Sequence, residues 1–105
     1  MPDVVVCAVD DVAPGSMRRF DVDGHRLVVV RIDDDGWYVL GDRCSHAEAS
    51  LAEGELLVDT CEIECPRHGS SFSLETGEPD SLPATKPQPT YPVRVEGDDV
   101  LVELP

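Results

Sequence analysis

Two cysteines and two histidines stand in two short groups, Cys44-Ser45-His46 and Cys65-Pro66-Arg67-His68-Gly69, separated by residues 47–64. Each group offers one soft thiolate and one imidazole. Thiolates favour zinc, copper(I) and iron–sulfur clusters, whereas imidazole suits zinc, copper and iron. Two centres therefore compete, a tetrahedral zinc ion and a two-iron cluster. Zinc ligands usually come as like pairs, Cys-x(2–4)-Cys with His-x(3–5)-His. Here each group is mixed, and Cys44 and His46 are only two apart. In an extended segment residues i and i+2 point the same way, so this pair can reach two different metal atoms a short distance apart. Two irons bridged by sulfide want that arrangement, with the cysteines on one iron and the histidines on the other.

Short strands and turns must position these groups. Val4 to Val9 is a branched apolar run that reads as a buried strand, with Cys7 as a small core residue. Asp10 to Gly15 reads as a turn. Met17 to Val22 alternates loosely, Asp23-Gly24 is a hairpin signal, and His25 to Ile32 is the next strand. His25 itself is expected to be an exposed turn residue. Asp33 to Gly36 closes another hairpin, and Trp37 to Leu40 returns to deliver the chain to Cys44. Trp37 and Tyr38 are expected to pack in the core and at its edge rather than to relay electrons. Glu48 to Leu57 reads as a loop or a single helical turn. Val58 to Glu64 alternates as one strand into Cys65, with Cys61 as core filler.

Beyond the second group, Ser70 to Leu74 reads as a strand and Thr76-Gly77-Glu78 as a turn. A segment containing Pro83, Pro87, Pro89 and Pro92 follows, where neither a helix nor a central strand survives. Val93 to Glu96 and Val100 to Leu104 flank the last hairpin, at Gly97-Asp98-Asp99. About nine or ten short strands without a convincing helix argue an all-β sandwich or barrel.

At 105 residues the chain is expected to be one domain with one modest core. Its net charge is −14, from 22 acidic and 8 basic residues. Such a surface repels nucleic acid and anionic membranes and attracts a basic patch on a partner protein. No apolar stretch approaches the ~20 residues of a membrane span, and Met1-Pro2-Asp3-Val4 lacks the regions of a signal peptide. A cytoplasmic location is expected, where Cys7 and Cys61 stay reduced.

The chain resembles the Rieske [2Fe–2S] proteins, and among them the small soluble ferredoxins of bacterial oxygenase systems. The resemblance runs through Cys44-Ser45-His46-Ala47, Ser50-Leu51 and Gly54, then Ile63-Glu64-Cys65-Pro66-Arg67-His68-Gly69-Ser70 and Phe72. It continues in Thr76-Gly77, Pro83-Ala84, Tyr91 and Val93, and so covers nearly the whole chain. It implies a Rieske-type antiparallel β barrel or sandwich, residues 1–105, with a small cluster-binding β subdomain inserted at about 42–79. It implies one [2Fe–2S] cluster per chain, with Cys44 and Cys65 on the inner iron and His46 and His68 on the outer. The proline-rich segment would fold over the cluster and shield it from water.

Two neutral histidines in place of two thiolates make the oxidised centre neutral, so its potential lies above that of all-cysteine ferredoxins. Respiratory Rieske proteins carry two further cysteines as a disulfide. The corresponding positions here are Ala49 and Arg67, so no such bridge forms. Phe72 stands where those proteins place a tyrosine hydroxyl, although Ser70 is retained. Fewer donors to sulfur place the expected potential in the lower part of the Rieske range of roughly −150 to +300 mV.

A Rieske oxygenase also needs a mononuclear iron on two histidines and a carboxylate. With His46 and His68 taken, only His25 remains. No Gly-rich dinucleotide motif follows a strand. The resemblance therefore implies an electron carrier rather than an enzyme, working between a flavin-dependent NAD(P)H reductase and a terminal non-heme iron oxygenase of the aromatic-ring-hydroxylating type. Two other readings stay open. One is a fixed accessory subunit, of the nitrite reductase type or tied to iron–sulfur assembly. The other is a zinc-stabilised binding module.

Overall fold

The computed structural model describes residues 3–34, 36–43, 50–66, 71–79 and 87–104. Ten strands run through them: β1 (Asp3–Ala8), β2 (Ser16–Val22), β3 (His25–Arg31), β4 (Trp37–Gly41), β5 (Glu55–Leu57), β6 (Glu62–Glu64), β7 (Ser71–Ser73), β8 (Thr90–Tyr91), β9 (Val93–Glu96) and β10 (Asp99–Glu103). The helical elements among the described residues are single 3-10 turns, Val9–Asp11 and Leu51–Glu53. The strands form three antiparallel sheets, ordered β1-β10-β9, β2-β3-β4-β8 and β5-β6-β7. The all-β antiparallel architecture expected from the strand pattern is the one observed.

The apolar run Leu27-Val28-Val29-Val30 explains how three sheets stack. All four side chains are buried, and they alternate between two cores. Leu27 and Val29 face the first sheet, packing with Val6, Cys7, Val100 and Val102. Val28 and Val30 face the third sheet, packing with Ile63, Phe72 and Leu74. A strand buried on both faces reads as a continuous apolar run. The neighbouring β4 repeats the pattern, with Val39 in one core and Leu40 in the other.

The third sheet enters this arrangement as an insertion. The chain leaves the middle sheet after Gly41 in β4 and returns at Thr90 in β8, and these two strands pair through Val39↔Tyr91 and Leu40↔Thr90.

Several local expectations are corrected. The segment Val58 to Glu64 is not one strand. Residues 58–61 turn, and β5 pairs with β6 through Leu56↔Ile63. Cys61 takes the left-handed conformation, φ 57°, at the end of that turn; it is half-buried against the core as expected. In β1 the register shifts between Val5 and Cys7. The extra residue of this bulge lets Val6 and Cys7 both turn inward and leaves Val5 exposed. His25 is the first residue of β3 and half-buried, with its ring edge-on to Tyr91 at 6.3 Å.

Trp37 packs on one core and Tyr38 on the other, as their strand position suggested. Arg31 lies 4.9 Å above the Trp37 ring and donates to Val12 O at 3.0 Å, tying β3 to the turn after β1.

Candidate metal centre

Of the four candidate ligands, Cys65 lies among the described residues; Cys44, His46 and His68 lie outside them, as do Ser70, Arg67 and Ala49. Cys65 directly follows β6 and is 1% exposed, packed with Leu51, Ile63 and Phe72. Ile63 and Phe72 are directly paired across β6 and β7, and both are fully buried, so the third sheet holds Cys65 at its base from the core side. Glu64↔Ser71 is the last pair of this ladder, so residues 67–70 are bracketed by a closed hairpin end.

Residues 44–49 are bracketed in the same way. Arg43 and Ser50 form an isolated antiparallel bridge. Asp42, fully buried, closes that neck. Its Oδ2 accepts from Ser50 Oγ at 2.6 Å and from Arg26 Nη2 at 3.2 Å, with Arg19 Nε at 3.8 Å. Its Oδ1 accepts from Ala52 N at 2.9 Å, and its carbonyl accepts from Leu51 N at 2.8 Å. A buried carboxylate is tolerated because both oxygens are paired and cations lie beside it.

The two necks adjoin. The 3-10 turn Leu51–Glu53 begins next to Ser50, at the first neck, and ends at Gly54 against the second. A Cβ on Gly54 would lie 1.9 Å from Glu64 O and 3.1 Å from Pro66 Cδ. Gly54 is therefore a contact glycine, allowing one backbone to lie on the residues that flank Cys65.

The C-terminal end of the proline-rich segment joins the first neck. Gln88 is buried, and its Nε2 donates to Gly41 O and to Arg43 O, both at 2.8 Å. Gly41 N donates to Pro89 O at 2.9 Å, and Gln88 N donates to Gly77 O at 2.7 Å. Residues 80–86 lie outside the described residues. The described part of this segment is thus fastened to the strand end that leads into Cys44.

A family model described as the Rieske [2Fe-2S] domain matches residues 3–92. The chain belongs to the Rieske [2Fe–2S] family. It is 44% identical over 103 residues to the 3-phenylpropionate/cinnamic acid dioxygenase ferredoxin subunit of Shigella flexneri, covering 97% of this chain and 93% of that one. It is 42% identical to the ferredoxin of carbazole 1,9a-dioxygenase from Nocardioides aromaticivorans, with a TM-score of 0.90 and 97% of both chains covered. It is also similar to a chain in a complex of reduced oxygenase and oxidized ferredoxin in carbazole 1,9a-dioxygenase, at 40% identity and TM-score 0.86, covering 95% of this chain and 91% of that one.

Membership of the Rieske family makes the cofactor one [2Fe–2S] cluster per chain. The residues present fit it. The donor set is two thiolates and two imidazoles in two groups, and the necks that bracket the groups touch through Gly54. Cys65 is buried among apolar side chains, an environment that suits a thiolate donor shielded from water. Asp42 and Gln88 were not singled out by sequence. Ser50 and Gly54 carried only the family pattern, without the contacts that explain them. A polar residue just before the Cys44 group, eight residues from a serine, carries no motif. Its only sequence signal is that an acid stands at the end of an otherwise apolar strand.

The cysteines not assigned to the cluster behave as packing. Burial, then the Asp11 carboxylate, push the Cys7 thiol up from 9.0 to about 11, with Arg18 opposing. A hydrogen bond with Cys61, then burial, raise the Tyr38 hydroxyl from 10.0 to about 12. In both groups the folded state favours the neutral form. Their contributions are complete below the unfolded values and are lost as pH rises through the folded ones. The Rieske protein is therefore expected to lose stability above about pH 9. Cys7→Ala should flatten that alkaline slope in urea titrations run at successive pH values. An unchanged slope would assign the loss to other groups.

Proposed function

We propose that Cys44 and Cys65 bind one iron and His46 and His68 the other, within a cluster-binding unit of about residues 42–79 in a single domain of residues 1–105. The protein then carries single electrons in the cytoplasm from a flavin-dependent NAD(P)H reductase to a terminal non-heme iron oxygenase of the aromatic-ring-hydroxylating type. The observation that supports this reading best is the full-length similarity to dioxygenase ferredoxins, one of them solved in complex with its oxygenase. When bound, the cluster takes up and returns one electron. The protein is a carrier and not an enzyme.

The chain's own residues supply the rest. Cys65 and its apolar neighbours keep water from one side of the centre, and the histidines are the ligands left to face a docked protein. Exposed Glu53, Glu55 and Asp59, in and beside strand β5, within a chain of net charge −14, favour a partner with a basic docking face. No helix among the described residues is long and apolar enough to cross a membrane.

Electron paramagnetic resonance of the reduced protein tests the ligand set. The expected result is a mixed-ligand signal of lower average g value than an all-cysteine cluster gives, with two irons and two sulfides per chain. Serine at position 44 or 65, or alanine at 46 or 68, should abolish it, while Cys61→Ser should retain it. Colourless protein containing stoichiometric zinc would overturn the cluster reading. Reduction by such a reductase with NADH, slowing as salt is added, tests the carrier role and its electrostatic steering. Stable co-purification with a larger enzyme would instead favour a fixed subunit.

A further inference from the structure

We infer that Gln88 is a positioning residue for the cluster: its side-chain amide fixes the backbone entering Cys44 and thereby sets the electronic environment of the centre. The inference rests on the ligand assignment proposed above.

Gln88 reaches across the fold to a strand end far away in sequence. Its Nε2 donates to Gly41 O and Arg43 O, the carbonyls on either side of Asp42, each at 2.8 Å. One –NH2 group supplies the two donors this needs. The side chain is buried, so water does not replace a lost partner at little cost. The second carbonyl belongs to the peptide whose nitrogen is that of Cys44. Holding that oxygen fixes the peptide plane from which the Cys44 side chain departs.

Gln88 is itself held from behind. Its N–H donates to Gly77 O at 2.7 Å. Gly77, at φ 77°, leaves the room this requires, since a Cβ there would lie 2.1 Å from Gln88 O. Gly77 N in turn donates to Ser73 O in β7, the strand that follows the His68 group. One continuous set of hydrogen bonds thus runs from the strand after the second ligand group, through Gln88, to the residue before the first. Asp42 fastens the same neck from its side chain, but Gln88 alone among the described side chains binds the carbonyl next to Cys44. A shift of the Gln88 backbone is carried to both ligand groups.

Gln88→Met is near-isosteric and removes both donors. It is expected to retain the fold and two irons per chain. The reduced protein should show broadened or shifted resonance lines, a shifted midpoint potential, and cluster loss to a chelator about tenfold faster, as the loss of two hydrogen bonds from a buried amide implies. Val100→Ala, a core truncation in the first sheet, serves as the stability control. The inference is overturned if Gln88→Met keeps the parent's spectrum and potential, or if Val100→Ala alters them equally. Should Gln88→Met not fold, Gln88→Asn keeps the amide but falls one methylene short and must give the same spectral change. Failure of both to fold also overturns the inference, because the residue would then support the whole domain. A parent protein without the mixed-ligand signal refutes the ligand assignment instead, which separates the two failures.

Discussion

Replacing Gly54 by alanine is expected to cost most of the bound cluster and roughly 10–25 °C of thermal stability. The added methyl carbon would sit 1.9 Å from the carbonyl oxygen of Glu64 and 3.1 Å from Pro66 Cδ. The nearer obstacle is backbone, so no side-chain rotation relieves it. Glu64 is fixed in β6 by pairing with both Glu55 and Ser71. Either the turn Leu51–Glu53 lifts away, or the strand end carrying Cys65 is displaced. Overpacking of this kind costs typically about 1–3 kcal/mol, and an obstacle that is backbone on both sides places it at the upper end. In a domain of this size about 1 kcal/mol shifts the melting midpoint by roughly 4–8 °C. Iron and acid-labile sulfide per chain, with the thermal midpoint, check both parts. Gly15, at φ 77° with nothing within 4 Å of its would-be Cβ, is the control position. Alanine there strains a turn but leaves the necks alone, so its cluster content should equal the parent's. A Gly54→Ala protein with full cluster content would show that the two necks are not mechanically joined.

The long strands were legible because each carries a local signal. Asp23-Gly24 and Gly97-Asp98 are turn chemistry, and both turns sit where those residues stand, with Gly24 and Gly97 at positive φ. Leu27 to Val30 lie within the strand expected over His25 to Ile32, and the structure adds that this stretch is buried on both faces. The β5–β6 turn was not legible. Val58-Asp59-Thr60-Cys61 contains neither glycine nor asparagine, and the left-handed residue is Cys61, which ordinarily avoids that conformation. Residues 58 to 64 alternate well enough to pass for a single strand, and only pairing of Leu56 with Ile63 shows the reversal. Strand β8 is two residues lying between Pro89 and Pro92 and exists through pairing with β4 rather than through propensity. The neck residues failed to show for the same reason. The value of Asp42 and Gln88 lies in partners 8, 10, 16 and 47 residues away, and a single sequence does not display contacts across such separations.

Asp42→Ala should be the most damaging single substitution outside the ligands. It removes the acceptor shared by Ser50 Oγ, Arg26 Nη2 and Ala52 N. The Ser50 hydroxyl, itself buried, is left without that acceptor, and Arg26 and Arg19 lose the charge they face. Breaking a buried pair from one side costs about 3–5 kcal/mol. Arg26 is 38% exposed and recovers some hydration, which places the cost near the lower figure. Against a total stability of about 5–15 kcal/mol for a domain, that is a large fraction. Asp42→Asn keeps the shape and one acceptor oxygen, so a loss of about 1–2 kcal/mol is expected. The difference between the two variants reports how much of the neck depends on acceptors and how much on charge. Because the lost contacts close the Arg43–Ser50 bridge rather than either main core, the neck should open first. Urea titration of Asp42→Ala should therefore bleach the visible cluster band at lower denaturant than the far-ultraviolet dichroism transition, whereas the parent loses both together. Coincident transitions at the parent's midpoint would show that Asp42 contributes no closure to the neck that leads into Cys44.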